Sequence, residues 1–417
     1  MRPLLLAGSL LLTLGPALAA PGAAVAQAPP APDTVFAASD TSDAAPVPQV
    51  DALDLLNRYL LGRRIEPEIE VSNKVGLAWA ILPSISYNPV YGAAFGLSAT
   101  GAGKRGAKVG RYSSVSVSGN VSTTGQIQAQ VRGDVFSPSG DYMSKGDFRY
   151  LDTARSTWGL GRITEDQEEY AMDFKLYRAY LTYYRRIGGP VFLGLGYHYD
   201  GFAEIVDERA AQGETTPFTE YSGGAVSRTD ASGMSLNLLG DTRDNLVNAS
   251  SGYYLSMSLR NYWRGLGSDA NWQEMWAEMR VYPHVPRRSG NVLAFWMYTW
   301  FTFGPAPYLN LPSNGWDTYG RGARGYLAGR VRGPAQGYLE AEYRMRLSRN
   351  GLWGAVVFVN LTSTSDPETQ IFGPGDPGAG VGLRMKFNKR SNANLAIDYG
   401  WGRYGSGGAF FGLSEVF

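Results

Sequence analysis

Apolar and polar side chains alternate with a period of two along most of the chain, from about residue 74 to residue 417. Leu339, Ala341 and Tyr343, for example, alternate with Glu340 and Glu342. The same alternation recurs in residues 126–135, 191–200, 253–260, 274–281, 381–387 and 395–401. Successive side chains of a β-strand point to opposite faces of its sheet. The pattern therefore predicts an all-β fold whose strands have one apolar and one polar face.

The length of the alternating segments separates two all-β architectures. The strands of soluble β-sandwiches also alternate, but they centre on about five or six residues. Here several segments alternate for about nine to eleven residues, which is the span of a tilted transmembrane strand. Beyond the first residues, no run of about eighteen consecutive apolar residues predicts a transmembrane helix. We therefore predict a transmembrane antiparallel β-barrel of the outer membrane.

The cost of placing charge in lipid predicts which strand face points outward. A Lys or Arg side chain on the lipid face at the midplane costs about 2–4 kcal/mol. We therefore expect the apolar faces to contact lipid and the polar faces to line the lumen, with four arginines pointing inward: Arg260, Arg344, Arg346 and Arg384. Aromatic girdles lie at the membrane interfaces, and five tryptophans are expected there: Trp263, Trp272, Trp296, Trp300 and Trp401.

Composition narrows the function classes. The chain has 53 Gly, 26 Tyr, 17 Phe and 10 Trp residues but only 18% charged residues, which suits strands, tight turns and interfacial rings. The net charge is +1, so no bulk field points to a nucleic-acid partner. The absence of cysteine excludes thiolate metal sites, disulfides and a lipidated N-terminal Cys, and it fits an exported protein.

Residues 1–26 have the features of a secretory signal peptide. A positive start at Arg2 precedes an apolar core, and residues 24–26 form a small-x-small cleavage site, with residues 17–19 as a rival. The alternative is an uncleaved membrane anchor.

Residues 27–73 predict a periplasmic linker, since their first half is rich in Ala, Pro, Asp, Ser and Thr. Within this linker, residues 51–64 predict a short helix. That helix either docks on the barrel or is a plain linker, and we favour the linker. The barrel itself is expected over residues 74–417.

Four sequence blocks carry a resemblance to a known family. Residues 240–245 contain Asp241, Arg243 and Asp244 and lead into a long strand. Arg324-Gly325-Tyr326 precedes the strand that holds Glu342, and residues 380–384 and 398–400 follow. Together these blocks resemble the bacterial surface antigen domain of the BamA/TamA superfamily, over roughly residues 74–417. The resemblance implies a barrel of about sixteen strands.

The resemblance implies that the Arg-Gly-Tyr/Phe motif lies on a long extracellular loop that folds back into the lumen. Here that loop is expected between Phe303 and Gln336, with Arg324 paired to Glu342. The alternative is that Arg324 is a solvated loop arginine. Asn360 stands where the family usually has an Asp. We therefore expect a weaker contact between Arg324 and the barrel wall, or one that depends on Glu342 alone.

Two further features bear on the family's activity. Residues 27–73 leave no room for the periplasmic POTRA modules of its best-known members, so the chain resembles a barrel-only branch. The turn containing Asp241, Arg243 and Asp244 is expected to be periplasmic and to have a structural role.

The last strand ends in Phe417, with Phe411, Leu413 and Phe417 expected on one face. This arrangement resembles the signal that the outer-membrane assembly machinery reads, and the alternative is a chance aromatic terminus.

Catalytic chemistry is not predicted. The chain has two histidines, His198 and His284; His198 lies on a polar face with no apparent Ser partner, and His284 is expected in an exposed turn. A lipase would need a Ser–His–polar set, and that class fails if no Ser lies within reach of His198. No residues have metal-ligand spacing, and we expect no metal and no cofactor.

Two functions remain open at this stage. The first is a barrel that assists insertion or translocation of proteins, or movement of lipid, at the bacterial outer membrane. Its expected partners are outer-membrane lipid and lipopolysaccharide, the assembly machinery during biogenesis, and client outer-membrane proteins. The second is a passive pore or structural barrel, whose Arg- and Glu-lined lumen sets ion selectivity.

Overall fold

A computed structural model describes residues 49–62, 78–88, 92–104, 112–163, 169–283, 290–317, 320–389, 392–413 and 415–417. The predicted signal peptide, both candidate cleavage sites and His284 lie outside these residues. Among the described residues, no helix is long and apolar enough to span a membrane.

Within the described residues, sixteen antiparallel strands form one sheet in chain order, which confirms the all-β barrel prediction. The strands are β1 (Ala78–Asn88), β2 (Gly92–Lys104), β3 (Tyr112–Ser122), β4 (Ile127–Phe136), β5 (Tyr142–Thr157), β6 (Tyr170–Gly188), β7 (Val191–Asp207), β8 (Arg228–Asp241), β9 (Gly252–Tyr262), β10 (Trp272–Tyr282), β11 (Val292–Phe303), β12 (Ala335–Arg346), β13 (Trp353–Thr364), β14 (Asp376–Asn388), β15 (Ala393–Trp401) and β16 (Gly407–Leu413). Three short helices are α1 (Ala52–Leu61), α2 (Glu208–Ala211) and α3 (Pro217–Ser222).

The two faces of the sheet have the predicted chemistry. Along β10, Glu274, Glu278 and Arg280 are buried, whereas the alternate residues Met275, Ala277 and Met279 are more exposed. The exposed set across the barrel is strongly apolar and includes Ile81, Leu97, Leu195, Leu236, Val359, Val381 and Ile397. Arg260, Arg344 and Arg384 point inward and each pairs with a lumen carboxylate. The apolar faces therefore surround a charged interior, as a barrel in lipid requires.

Arg346 is two positions after Arg344 on β12 and therefore shares its face of the sheet. It is exposed at the last position of the strand and donates hydrogen bonds to the carbonyl oxygens of Ser348 (3.3 Å) and Arg349 (2.7 Å). A side chain at a strand end meets little of the lipid penalty, so this arginine does not test the midplane argument.

Three of the five tryptophans do not lie in the predicted interfacial girdles. Trp263 and Trp401 are exposed as expected, but Trp272, Trp296 and Trp300 are buried. Strand β11 is apolar at nearly every position, so its sequence alone does not identify the outward face. Pairing with β10 turns the Trp296 ring inward, where its Nε1 donates to Glu278 at 3.0 Å. Tyr298 and Tyr338 extend this internal aromatic layer.

The connections differ between the two ends of the barrel. One end has short links at residues 137–141, 189–190 and 347–352, and we call it the turn end. The other has long links at residues 208–227 and 304–334, and we call it the loop end. Outer-membrane barrels have short periplasmic turns and longer extracellular loops. The two ends therefore have the asymmetry that such barrels show.

Helix α1 docks on the turn end. The backbone N–H of Lys389 donates to Asp51 Oδ2 at 2.9 Å, and Lys389 Nζ lies 2.9 Å from Asp54 Oδ2. The backbone N–H of Val50 donates to the carbonyl oxygen of Asn350 at 3.1 Å. These contacts favour the docked helix over the plain linker that we expected. The partners are turn residues distant in sequence, which helix periodicity cannot identify.

Candidate functional site

A long loop between β11 and β12 lies inside the barrel over its described residues, 304–317 and 320–334, and we call it the inner loop. Tyr308 Oη lies 3.0 Å from Thr157 Oγ1 at the end of β5, and Asn310 Nδ2 donates to Asp200 on β7 at 3.3 Å. Arg332 forms a backbone bridge to the link after β5. On the opposite wall, the loop reaches β12 and β15. The inner loop therefore spans the lumen from wall to wall.

The inner loop is ordered by its own polar side chains. Asn314 Nδ2 donates to the carbonyl oxygen of Leu327 at 2.7 Å, and Asn314 Oδ1 accepts from the N–H of Val331 at 2.8 Å. Asp317 accepts from the N–H of Gly322 at 2.8 Å. Asn314 and Asp317 have no exposed surface. Their side chains satisfy backbone groups that the loop would otherwise bury without partners.

Arg324 is the centre of a buried ionic network at the tip of the inner loop. Its guanidinium is 1% exposed and donates to Glu340 Oε1 at 2.6 Å, to Asp398 Oδ2 at 2.7 Å, and to Glu342. It also stacks 3.6 Å from the ring centroid of Phe358. Burial lowers the pKa of Arg324, but the three carboxylates raise it, and the net shift is upward. The loop tip therefore carries a permanent cation.

Two wall arginines extend the network. Arg344 Nε lies 2.7 Å from Glu342 Oε2, and Arg384 pairs with Asp398 and lies 2.8 Å from Glu415 Oε2. Three arginines thus share four carboxylates, all of them buried: Glu340, Glu342, Asp398 and Glu415. Every member has at least one charged partner, which is what a buried ionic network requires.

The structure corrects the expected form of this contact. Glu342 is a partner of Arg324, but it does not act alone, since Glu340 and Asp398 accept from the same guanidinium. Asn360 does not replace a carboxylate; its Nδ2 donates to the carbonyl oxygen of Arg324 at 2.9 Å. An amide can donate as well as accept, so Asn360 fixes the loop backbone, while the charge is supplied by neighbouring strands.

Gly325 and Tyr326 fix the rest of the tip. Gly325 has φ +107°, and a Cβ atom there would meet the carbonyl oxygen of Trp401 at 2.6 Å. Tyr326 Oη donates to the carbonyl oxygen of Pro377 at 2.6 Å and accepts from the N–H of Arg403 at 3.0 Å. Only glycine combines this φ with so close an approach to β15. Arg324 thus joins β12 to β15 by charge, Gly325 approaches the β15 backbone, and the Tyr326 hydroxyl bonds to β14 and to the link after β15.

The Asp241 turn reaches across the turn end of the barrel. Asp241 holds the buried Arg243 at 2.8 Å, and Asp244 accepts from the N–H groups of residues 245, 250 and 251. Asn248 and Asn392 exchange side chain-to-backbone hydrogen bonds of 3.3 and 3.1 Å. Residues 242–251, which we call the cross-turn, therefore join β8 and β9 to the β14–β15 turn. The sequence predicted the local turn but not this long-range contact.

The last residues do not share one face, and that prediction is wrong. Phe411 on β16 is 58% exposed, whereas Phe417 is 5% exposed. Strand β16 ends at Leu413, whose side chain is not among those described, so alternation cannot be continued to Phe417. The Phe417 ring lies 5.4 Å from that of Trp296 in the lumen.

His198 has a serine neighbour that the sequence did not indicate. Its Nε2 lies 2.7 Å from Ser235 Oγ on the adjacent strand, and Asn237 Nδ2 also reaches that Oγ at 2.7 Å. His198 Nδ1 is buried without a hydrogen-bond partner among the described residues. Asp200 is instead bound by Arg178 and by other side chains. The expectation of no Ser partner is thus wrong, because the register of β7 and β8 cannot be obtained from sequence.

We expect Ser235 to be unreactive towards a fluorophosphonate probe. A serine nucleophile needs a histidine whose second nitrogen is held by a third group, and His198 lacks that contact. Mass spectrometry of the refolded, probe-treated protein would measure labelling, with Ser235→Ala as the control. Stoichiometric labelling of the wild type that is absent from Ser235→Ala would contradict the expectation and make a lipase function possible again.

Among the described residues there is no cluster of side chains of the type that binds a metal ion.

Comparisons with known proteins show the fold and no more. No protein-family model and no curated protein matches the sequence. The structure is similar to the crystal structure of BamA from Haemophilus ducreyi lacking POTRA domains 1–3, with a TM-score of 0.51 and 15% identity over 81% of this chain and 70% of that one. OccK11 (OpdR) from Pseudomonas aeruginosa matches with a TM-score of 0.31 and 11% identity over 81% and 90% of the chains, which is too low to indicate a common fold. The chain has a BamA-like outer-membrane barrel fold.

Proposed function

We propose that the chain is a barrel-only protein of the BamA/TamA superfamily. In this proposal it resides in the bacterial outer membrane and assists insertion or translocation of other outer-membrane proteins, or movement of lipid. The observation that carries the proposal is the inner loop, bound across the lumen by Arg324 to Glu340, Glu342 and Asp398. A loop bound across the lumen favours function at the outer wall and its seam over function as an axial channel.

The two strands at the ends of the sheet support a seam that accepts a client strand. Strand β1 has 11 residues and β16 has 7, so β16 can pair with at most part of β1. Unpaired backbone groups at a strand edge form a template for strand addition. Lumen contacts of the inner loop with β15 lie next to this edge. We infer that the loop holds the seam region in shape while a client strand adds to it.

The insertion role is tested with a client barrel refolding into liposomes. A urea-unfolded client outer-membrane protein would be diluted into liposomes containing this protein. The rate at which the client folds would be measured on unheated gels, where a folded barrel migrates differently from the heat-denatured form. We expect a faster rate than with empty liposomes, and a lower rate with Arg324→Met. Liposomes containing Arg228→Met are the matched control, because that arginine is exposed and pairs with Asp230 on the same strand. Equal rates with and without the protein would refute insertion activity.

Conductance separates this role from that of a passive pore. The inner loop crosses the lumen from wall to wall, and the cross-turn reaches across its turn end through Asn248 and Asn392. We therefore expect the wild-type protein in planar bilayers to give no steady open current, and Arg324→Met to give brief openings as the loop is released. A steady current of the same size in the wild type and in Arg324→Met would favour a pore whose ion selectivity is set by the lumen charges.

A further inference from the structure

Residues 415–417, which we call the inner segment, lie inside the barrel but outside the sheet. Strand β16 ends at Leu413. Glu415, Val416 and Phe417 are each less than a tenth exposed. No ladder includes them among the described residues. Side chains of other elements therefore hold this segment, in the manner of a bound peptide.

Its polar contacts come from four separate elements: β12, β14, β15 and the inner loop. Glu415 accepts from Arg384 Nε at 2.8 Å and from Asn394 Nδ2 at 2.6 Å. Arg321 of the inner loop donates to the Glu415 carbonyl oxygen at 2.6 Å. Arg344 donates to the Phe417 carbonyl oxygen at 2.9 Å. Carboxylate and backbone groups are thus recognised by charge-assisted hydrogen bonds.

An aromatic slot receives the Phe417 ring. The ring centroid lies 5.4 Å from that of Trp296 and 6.5 Å from that of Tyr282, and the Arg344 guanidinium lies 5.1 Å from the Phe417 ring. Trp296 is fixed independently, because its Nε1 donates to Glu278. The slot therefore selects a flat aromatic side chain two positions after an acidic one.

The pocket does not need the inner segment in order to keep its shape. Arg344 is held by Glu342 at 2.7 Å, and Arg384 is held by Asp398. Each of these arginines would keep a wall carboxylate if the segment left. An ordinary core residue leaves a collapsing cavity behind it, whereas pre-formed polar groups mark a binding site.

We propose that this pocket is a peptide-binding site for an acidic–x–aromatic sequence and that residues 415–417 are its resident, displaceable ligand. Occupancy also couples two parts of the barrel, because the segment follows the last strand while Arg321 belongs to the inner loop. Release of the segment frees the end of β16 from that loop. This site is separate from the seam, and it stands whether or not the protein inserts clients.

The test removes the resident ligand and offers it back as a peptide. The double variant Glu415→Gln/Phe417→Ala and the wild type would be refolded in detergent micelles. The probe is a fluorescein-labelled, C-terminally amidated peptide with the sequence of residues 412–417, followed by fluorescence anisotropy. We expect saturable binding to the double variant and about tenfold weaker binding to the wild type, where the resident segment competes.

Three controls make the result specific. A peptide with Lys for Glu and Ala for Phe should not bind. Adding Arg344→Met to the double variant should abolish binding, and Phe411→Ala, an exposed aromatic of β16, should behave as the wild type. If the double variant does not fold into a barrel, as judged by heat-modifiable migration on gels, the single variant Phe417→Ala would be used in the same binding measurement. Equal binding to wild type and variant, or no binding to a correctly folded variant, would overturn the proposal.

Discussion

Replacing Arg324 with methionine is expected to release the inner loop from the wall. The substitution removes the cation that Glu340, Glu342 and Asp398 share and leaves their charges buried close together. Breaking a buried ion pair by removing one partner costs about 3–5 kcal/mol. Methionine keeps much of the side-chain volume, so the effect reports on charge rather than on a cavity. Lysine should restore little, because a point charge cannot serve three carboxylates as the guanidinium fork does.

Limited trypsin digestion measures this release directly. Arg330 and Arg332 are buried in the inner loop, so the wild-type loop should resist cleavage in the refolded protein. In Arg324→Met the same two arginines should become cleavable, with fragments that end within residues 304–334. Arg228→Met is the control, since it removes an exposed arginine from the loop end. An unchanged fragment pattern in Arg324→Met would show that the ionic network does not hold the loop.

The wall chemistry was predictable because one physical penalty controls it. Period-two alternation identifies the two faces of a strand, and the cost of charge in lipid identifies the outward one. This argument placed Arg260, Arg344 and Arg384 correctly. It failed for Trp296 on β11, because a strand apolar on both faces has no alternation to read.

The partners of Arg324 were partly accessible from the sequence. Glu340 lies two positions before Glu342 and therefore on the same face of β12, which was sufficient to suggest a second carboxylate. Asp398 occurs in a block that carried the family resemblance. Because it is far from Arg324 along the chain, the sequence alone did not indicate that the two side chains meet. Nothing local indicates that Ser235 meets His198, since a one-residue slip between their strands would separate them. Contacts that depend on register and on barrel curvature were thus the ones missed.

Glycines on the wall form the second requirement for seating the inner loop. Gly400 on β15 points into the lumen, and a Cβ atom there would lie 2.7 Å from the backbone nitrogen of Gly325 and 3.0 Å from the carbonyl carbon of Arg324. Gly378 on β14 has a related position, with Asn360 Oδ1 2.6 Å and the Arg324 carbonyl oxygen 2.9 Å from its hypothetical Cβ. At Gly400 all the obstructing atoms are backbone atoms of the loop, which cannot rotate away as a side-chain end can. The loop tip therefore needs glycine at this point of the wall.

Gly400→Ala is accordingly expected to displace the loop tip while every charge remains in place. Overpacking of this kind costs about 1–3 kcal/mol, so trypsin should cleave at Arg330 and Arg332 more slowly than in Arg324→Met but faster than in the wild type. Gly412→Ala on β16 is the matched control, because no heavy atom lies within 4 Å of its added Cβ. Wild-type resistance to trypsin in Gly400→Ala would mean that the ionic network alone holds the tip. Cleavage in Gly400→Ala but not in Gly412→Ala would mean that the loop position depends on shape as well as on charge.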